Sequence, residues 1–150
     1  MGGEDHEEWS STGAHAYRCE RAGIVFLRIS GDIGEEHIAT FFQAFGRCCD
    51  EVATPHVFWL VDLAGMGSML PDARKLAAST PVRPENKGMA IFGASFAQRV
   101  LVTLVDKATS LLHPGSPPLA FHDSEADARA WIARRRSKLG PDGAVTPGGR

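Results

Sequence analysis

Val57-Phe58-Trp59-Leu60-Val61 is an unbroken apolar run that stops at Asp62. A strand with one wet face alternates apolar and polar residues, whereas a continuous run bounded by a turn signal fits a strand covered on both faces. Helices supply that cover, so this single segment calls for a layered sheet with helices packed on it.

The flanking sequence provides them. From Glu35 onward Ile38, Phe41, Phe42, Phe45, Cys49 and Val52 recur at helical spacing, with Glu35 and Glu36 at the end where the helix dipole favours negative charge. Upstream, Ala14 to Cys19 alternates weakly, Glu20 to Gly23 forms a turn, and Ile24 to Ile29 is a strong strand closed by Gly31, which together make a hairpin. Downstream of Asp62, a glycine-containing connection from Leu63 to Leu70 leads through Pro71 into a short helix over Asp72 to Ser79, stopped by Pro81 and Pro84. Gly88 to Phe92 is the next strand. Ser95 caps a helix carrying Phe96, Val100, Leu101, Leu104, Val105, Ala108 and Leu111, a load that calls for deep packing. After the interruption at Pro114 to Pro118, Leu119 to His122 is a brief strand, Ser124 to Asp127 resembles a capping box, and Trp131, Ile132 and Leu139 line the last helix.

The order is β-β-α-β-α-β-α-β-α, an α/β fold whose sheet is mostly parallel but mixed, with an antiparallel edge strand. At 150 residues the chain fits one domain. The domain is placed at 14–139, between a flexible acidic arm over 1–13 and a flexible, Pro- and Gly-rich tail over 140–150.

A net charge of -2 excludes a strong global pull towards nucleic acid, and neither a recognition helix nor an aromatic platform is evident. No apolar run reaches bilayer length and the acidic start lacks signal-peptide character, so a cytoplasmic location is expected. Cys19, Cys48 and Cys49 have no metal or redox spacing and are read as reduced. Side chains at adjacent helical positions diverge by about 100°, so one of Cys48 and Cys49 is expected buried and the other a bystander.

Three segments in this order resemble the STAS fold of bacterial anti-sigma factor antagonists and, more closely, the SpoIIAA-like group, whose architecture is related to CRAL-TRIO lipid-transfer domains. They are Ile29-Ser30-Gly31-Asp32-Ile33, Leu60-Val61-Asp62-Leu63-Ala64, and the stretch from Ala120 to Ile132 with its Glu125-Ala126-Asp127-Ala128-Arg129-Ala130-Trp131 helix. The resemblance covers 14–139 and implies a non-catalytic regulatory module. It also brings Ser68 to the place where the phosphorylatable antagonists carry a phosphoacceptor at a helix start, although Gly67, Met69 and Pro71 depart from the usual surroundings. A phosphate there would meet free backbone N–H groups; the plainer alternative is that Ser68 caps the helix or ends the loop.

Other candidates are weighed on their own chemistry. Asp62 lies at the carboxyl end of a central strand, where open α/β sheets place ligands, or else it is a turn carboxylate. Gly65 and Gly67 permit close backbone approach but lack the rest of a phosphate loop. Met66, Met69 and Leu70 either plug the core or form a movable cover over an apolar cavity walled by Phe41, Phe45, Leu101 and Leu104. Arg134, Arg135, Arg136 and Lys138 either complement the carboxyl end of the last helix or form a basic surface for an acidic partner or leaflet. The histidines show no metal-binding spacing; no nucleophile elbow is present, and no cofactor or metal is expected.

The leading expectation is a protein-interaction module presenting Ala64 to Leu70, switched by phosphorylation at Ser68, with homodimerisation left open. The alternative is a binder of a small apolar or lipid ligand at the same sheet edge, with peripheral membrane contact.

Overall fold

A computed structural model describes residues 8–140. Six strands stand side by side in chain order: β1 (Ser10–Thr12), β2 (His15–Glu20), β3 (Ile24–Ile33), β4 (Val57–Met69), β5 (Asn86–Phe92) and β6 (Leu119–His122). The pairs β1–β2 and β2–β3 are antiparallel; β3 through β6 run parallel. The helices are α1 (Glu35–Val52), α2 (Pro71–Ser79), α3 (Phe96–Leu112) and α4 (Glu125–Leu139). The α/β architecture with a mixed sheet and an antiparallel edge is the one expected.

The central run behaves as its composition dictates. Val57, Trp59 and Val61 join a core with α1, while Phe58 and Leu60 join a second core with Ala128, Ile132 and Leu139 of α4. Alternate side chains of a strand point to opposite faces, so a strand apolar at every position needs both cores. Glu20, on β2, is bound to α4 by the guanidinium of Arg129, whose two terminal nitrogens donate to its two carboxylate oxygens at 2.8 Å each. Burial alone would raise the Glu20 pKa, but the hydrogen bonds from Arg129 and Arg18 hold it below the ordinary carboxylate value.

Four expectations change. Ser10–Thr12 is not part of a free arm: it pairs with His15–Tyr17 and extends the hairpin by a strand, while Trp9 packs on Phe26 at 5.2 Å between centroids. The remainder of the expected arm, 1–7, and the tail 141–150 lie outside the described residues. Gly31 does not end β3, which continues to Ile33.

The segment from Leu63 to Met69 is strand, not connection, and pairs with β3 through Gly31↔Met66 and Ile33↔Met69. Two register shifts there place one extra β4 residue each against β3. Each bulge resets the alternation, so Leu63, Met66 and Met69, spaced by three, all reach the α1-side core. Gly65 and Gly67 make this possible. A Cβ at Gly65 would stand 2.9 Å from the Ile29 carbonyl oxygen, and one at Gly67 would strike the Asp32 carboxylate.

Finally, Cys19 and Cys48 form a disulfide with a Cα–Cα distance of 5.6 Å, joining β2 to α1, so those two are not reduced thiols. Cys49 is the free thiol among the described residues, and it too is buried. The two neighbours diverge around the helix as expected, but both directions lead into protein. Burial, with Glu85 nearby, pushes the Cys49 pKa up to about 11, which leaves a weak nucleophile.

Candidate ligand-binding cavity

Between the sheet and α3 lies a cavity of about 290 Å3. Its floor is sheet: Leu27 and Ile29 from β3, Trp59, Val61, Leu63, Met66 and Met69 from β4, Met89 and Ile91 from β5. One wall is Ile38, Phe41, Phe42 and Phe45 of α1. The roof is α3, through Val102, Val105, Asp106 and Thr109. Thus Phe41 and Phe45 are in the wall as expected, and Leu101 and Leu104 are not. Leu101 packs against the core edge and Leu104 faces outward.

The roof spans its cavity and is held at both ends. At the start of α3, Ser95 Oγ accepts from the Gln98 backbone N–H and Gln98 Oε1 accepts from that of Ser95; Gln98 Nε2 then donates to the Met66 carbonyl at 3.1 Å. At its end, His113 Nε2 lies 3.2 Å from the Ser79 carbonyl. Between these ties no α3 side chain is fully buried. The deep packing expected of α3 is therefore absent, because its inner residues border open space. Phe96, Val100, Leu104 and Leu111 form an exposed stripe along the opposite side. At 100° per residue these four fall within about 80° of one another.

The segment read as either a core plug or a movable cover is a paired strand whose Met66 and Met69 pack on the core. Met66 and Met69 line the cavity from within a paired strand, and the covering element is α3. Leu70 is exposed and stands at the N-cap position of α2. Ser68 is likewise exposed on β4 and is neither a helix cap nor at a helix start; its backbone N–H donates to Asp32 Oδ1 at 2.7 Å. Asp62 lies outside the cavity, and its Oδ1 accepts from the Ala64 backbone N–H at 2.9 Å. The glycine pair approaches β3, as the bulges require.

Residues 24–133 match the SpoIIAA-like family. The chain belongs to that family. Membership indicates a non-catalytic regulatory module in general. A crystal structure of an uncharacterised Shewanella loihica PV-4 protein with a SpoIIAA-like fold is similar at 16% identity, covering 82% of this chain and 97% of that one, with a TM-score of 0.55. No curated protein matches this chain.

The basic residues of this SpoIIAA-like chain do not form one patch. Arg134 and Lys138 are exposed. Arg135 Nε donates to the Lys87 carbonyl at 2.6 Å, and Arg136 donates to the Gly23 carbonyl at 3.3 Å while lying over the Phe58 ring. Two of the four thus brace α4 against the ends of the sheet strands. Among the described residues, no helix is long and apolar enough to cross a membrane and no cluster suited to a metal ion is present.

The cavity's other end has no signature in the sequence. Pro81, Val82, Arg83 and Asn86 meet Ser116, Pro117 and Pro118 there. Both Pro-containing segments carry a breaker signal, and nothing in that signal says that two breakers converge on one opening. Asp106, on the roof helix, is the carboxyl among the described residues of the cavity lining, and burial raises its pKa above the ordinary aspartate value.

Proposed function

We propose that this SpoIIAA-like domain is a non-catalytic module that binds a small apolar ligand beneath α3. The observation that carries the reading is the cavity itself: it is lined by Trp59, Phe41, Phe45, Met66 and Met69 and roofed by a helix with no fully buried residue. Ligand sites are concave, mostly apolar and pre-formed, and this volume stands at their lower end. A single short chain or a small ring fits that size. The outer stripe of α3, with exposed Lys107 among its apolar residues, supports reversible contact with a membrane surface from which such a ligand is collected. Occupancy of the cavity would be the regulatory signal.

Trp59 supplies the test. Titration with a brominated short-chain alcohol is expected to quench Trp59 saturably, and Trp59→Phe is expected to lose that component while Trp9 and Trp131 remain. A Val102→Trp substitution, which fills the space, should abolish uptake with the fold intact by circular dichroism. Quenching that is linear, unsaturable and unchanged by Val102→Trp would overturn the reading.

A second reading, the protein-contact module switched at Ser68, is supported by the exposure of Ser68 and Leu70 at one end of the sheet. Mass spectrometry of the protein from its native cell would have to find phosphate on Ser68, and Ser68→Asp would have to change the set of captured partners.

A further inference from the structure

A second compartment adjoins the apolar cavity. The two share Pro81, Val82, Arg83, Asn86, Ser116 and Pro117 in their linings, so a vestibule of about 530 Å3 lies directly beside the apolar space. The lining changes from one to the other. Arg83, Lys87, His113 and Arg135 face the vestibule, and no carboxylate among the described residues lines it. Three permanent cations around a recess that no described carboxylate lines, beside an apolar pocket, are a recognition pattern for an anion carried on an apolar body.

The cations are unequal. Arg83 is held from outside the vestibule by Glu85 at 3.2 Å and Asp50 at 3.6 Å, so much of its charge is already answered. His113 uses Nε2 towards the Ser79 carbonyl. Arg135 is different: it is partly buried, its Nε donates to the Lys87 carbonyl at 2.6 Å, and no carboxylate of the described residues pairs with it. Removing a cation from water is costly unless an anion or hydrogen-bond acceptors compensate. The bond from Arg135 to the Lys87 carbonyl also fixes the guanidinium beside Lys87, which leaves its remaining N–H groups available to a planar or tetrahedral anion. The other described residues that border the vestibule, Leu112 of α3 and Leu139 of α4 among them, carry no charge. Asp106 faces the apolar cavity rather than the vestibule.

We infer that the vestibule holds the anionic head of a single-chain amphiphile whose apolar tail occupies the cavity beneath α3. This rests on the ligand-binding reading above and adds the ligand's chemical class and its orientation: head at the Arg135 end, tail towards Met66. A carboxylate or a phosphate monoester meets the same requirement.

Four probes of one chain length separate the outcomes: an n-alkyl carboxylate, an n-alkyl phosphate, the n-alkyl alcohol and the n-alkyl trimethylammonium. Each is scored by displacement of a brominated alcohol from Trp59 at low salt. At least one of the two anions is expected to bind about tenfold or more tighter than the alcohol, with the cation weakest, and the better anion identifies the head. Arg135→Gln and Lys87→Gln are each expected to bring the anion close to the alcohol while leaving the alcohol unchanged. Lys87→Gln keeps the backbone carbonyl that Arg135 uses, so it stands as the control should Arg135→Gln fold poorly. Equal binding of all four probes would overturn the inference while leaving the cavity reading intact. Binding of none would overturn the cavity reading itself.

Discussion

Asp32 at the end of β3 accepts, through Oδ1, the backbone N–H of Ser68 on β4 at 2.7 Å. The bond closes the second of the two bulges, and it is the reason Gly67 has no side chain: a Cβ there would collide with that same carboxylate and stand 3.1 Å from the Gly31 carbonyl carbon. Gly67→Ala is therefore expected to cost about 1–3 kcal/mol, the range for forcing atoms into a filled space, and to weaken apolar probe binding by moving Met66 and Met69. Chemical denaturation checks the first and Trp59 quenching the second. An alanine variant as stable as the wild type would mean that the bulge relaxes freely.

The disulfide between Cys19 and Cys48 ties the α1 wall to the sheet across a separation of 29 residues. A cross-link closing a loop of that length restricts the unfolded chain by about 3–4 kcal/mol in the chain-entropy account. Reductant is expected to lower the unfolding free energy by about that amount, and Cys48→Ala should be insensitive to reductant. Both states should keep the α/β circular dichroism signature. A melting temperature unmoved by reductant, with one free thiol titrated before and after, would contradict the expectation.

Asp106 lies on the roof helix of the cavity, where burial raises its pKa above the ordinary value of 3.8. A carboxyl whose folded pKa is raised favours its protonated form in the fold, so its ionisation opposes stability above pH 3.8 and costs nothing well below that value. Asp106→Asn is expected to stabilise the protein at pH 7, by less than about 1 kcal/mol because the group is partly solvated, with the gain vanishing near pH 3. The same change removes a negative charge near the tail and should tighten alkyl carboxylates relative to the alcohol. Melts at the two pH values and paired titrations measure both effects.

The contrast between the two halves of β4 shows what periodicity can carry. Val57 to Val61 is legible because each residue obeys the two-residue repeat, and both covering layers follow from it. From Leu63 onward the inward positions are spaced by three, a pattern that bulges produce and that resembles a loop when read residue by residue. The Cys19–Cys48 bond was hidden for another reason: it depends on how α1 docks on β2, a tertiary relation with no local signal. The apolar residues of α3 were visible, but their count implies burial only if both faces have neighbours, and here one faces a cavity and the other solvent. In the sequence Arg135 is one of a run of like charges on the last helix. Only the meeting of α4 with the start of β5 distinguishes it from Arg134.

His15 on β2 is almost wholly buried, and both of its ring nitrogens are used. Nδ1 accepts the Ser30 backbone N–H at 3.0 Å, and Nε2 lies 2.9 Å from the Asp32 carbonyl, to which it donates. That pair of bonds requires the neutral ring, because a protonated imidazole has no acceptor. Burial accordingly lowers the pKa, the Asp32 carbonyl partly offsets it, and His37, with its ring 4.5 Å away, lowers it again. For a group whose folded pKa is depressed below 6.5, the contribution to stability is present above pH 6.5 and is lost as pH falls through and below it. His122, lowered chiefly by burial, acts in the same direction. The melting temperature is therefore expected to decline between about pH 7 and pH 5, before carboxylates titrate. His15→Gln should be less stable at pH 7 and show a shallower decline over that interval. A wild-type profile flat from pH 7 to pH 5 would mean that the ring is protonated in place, and with it that the Ser30 N–H has found another acceptor.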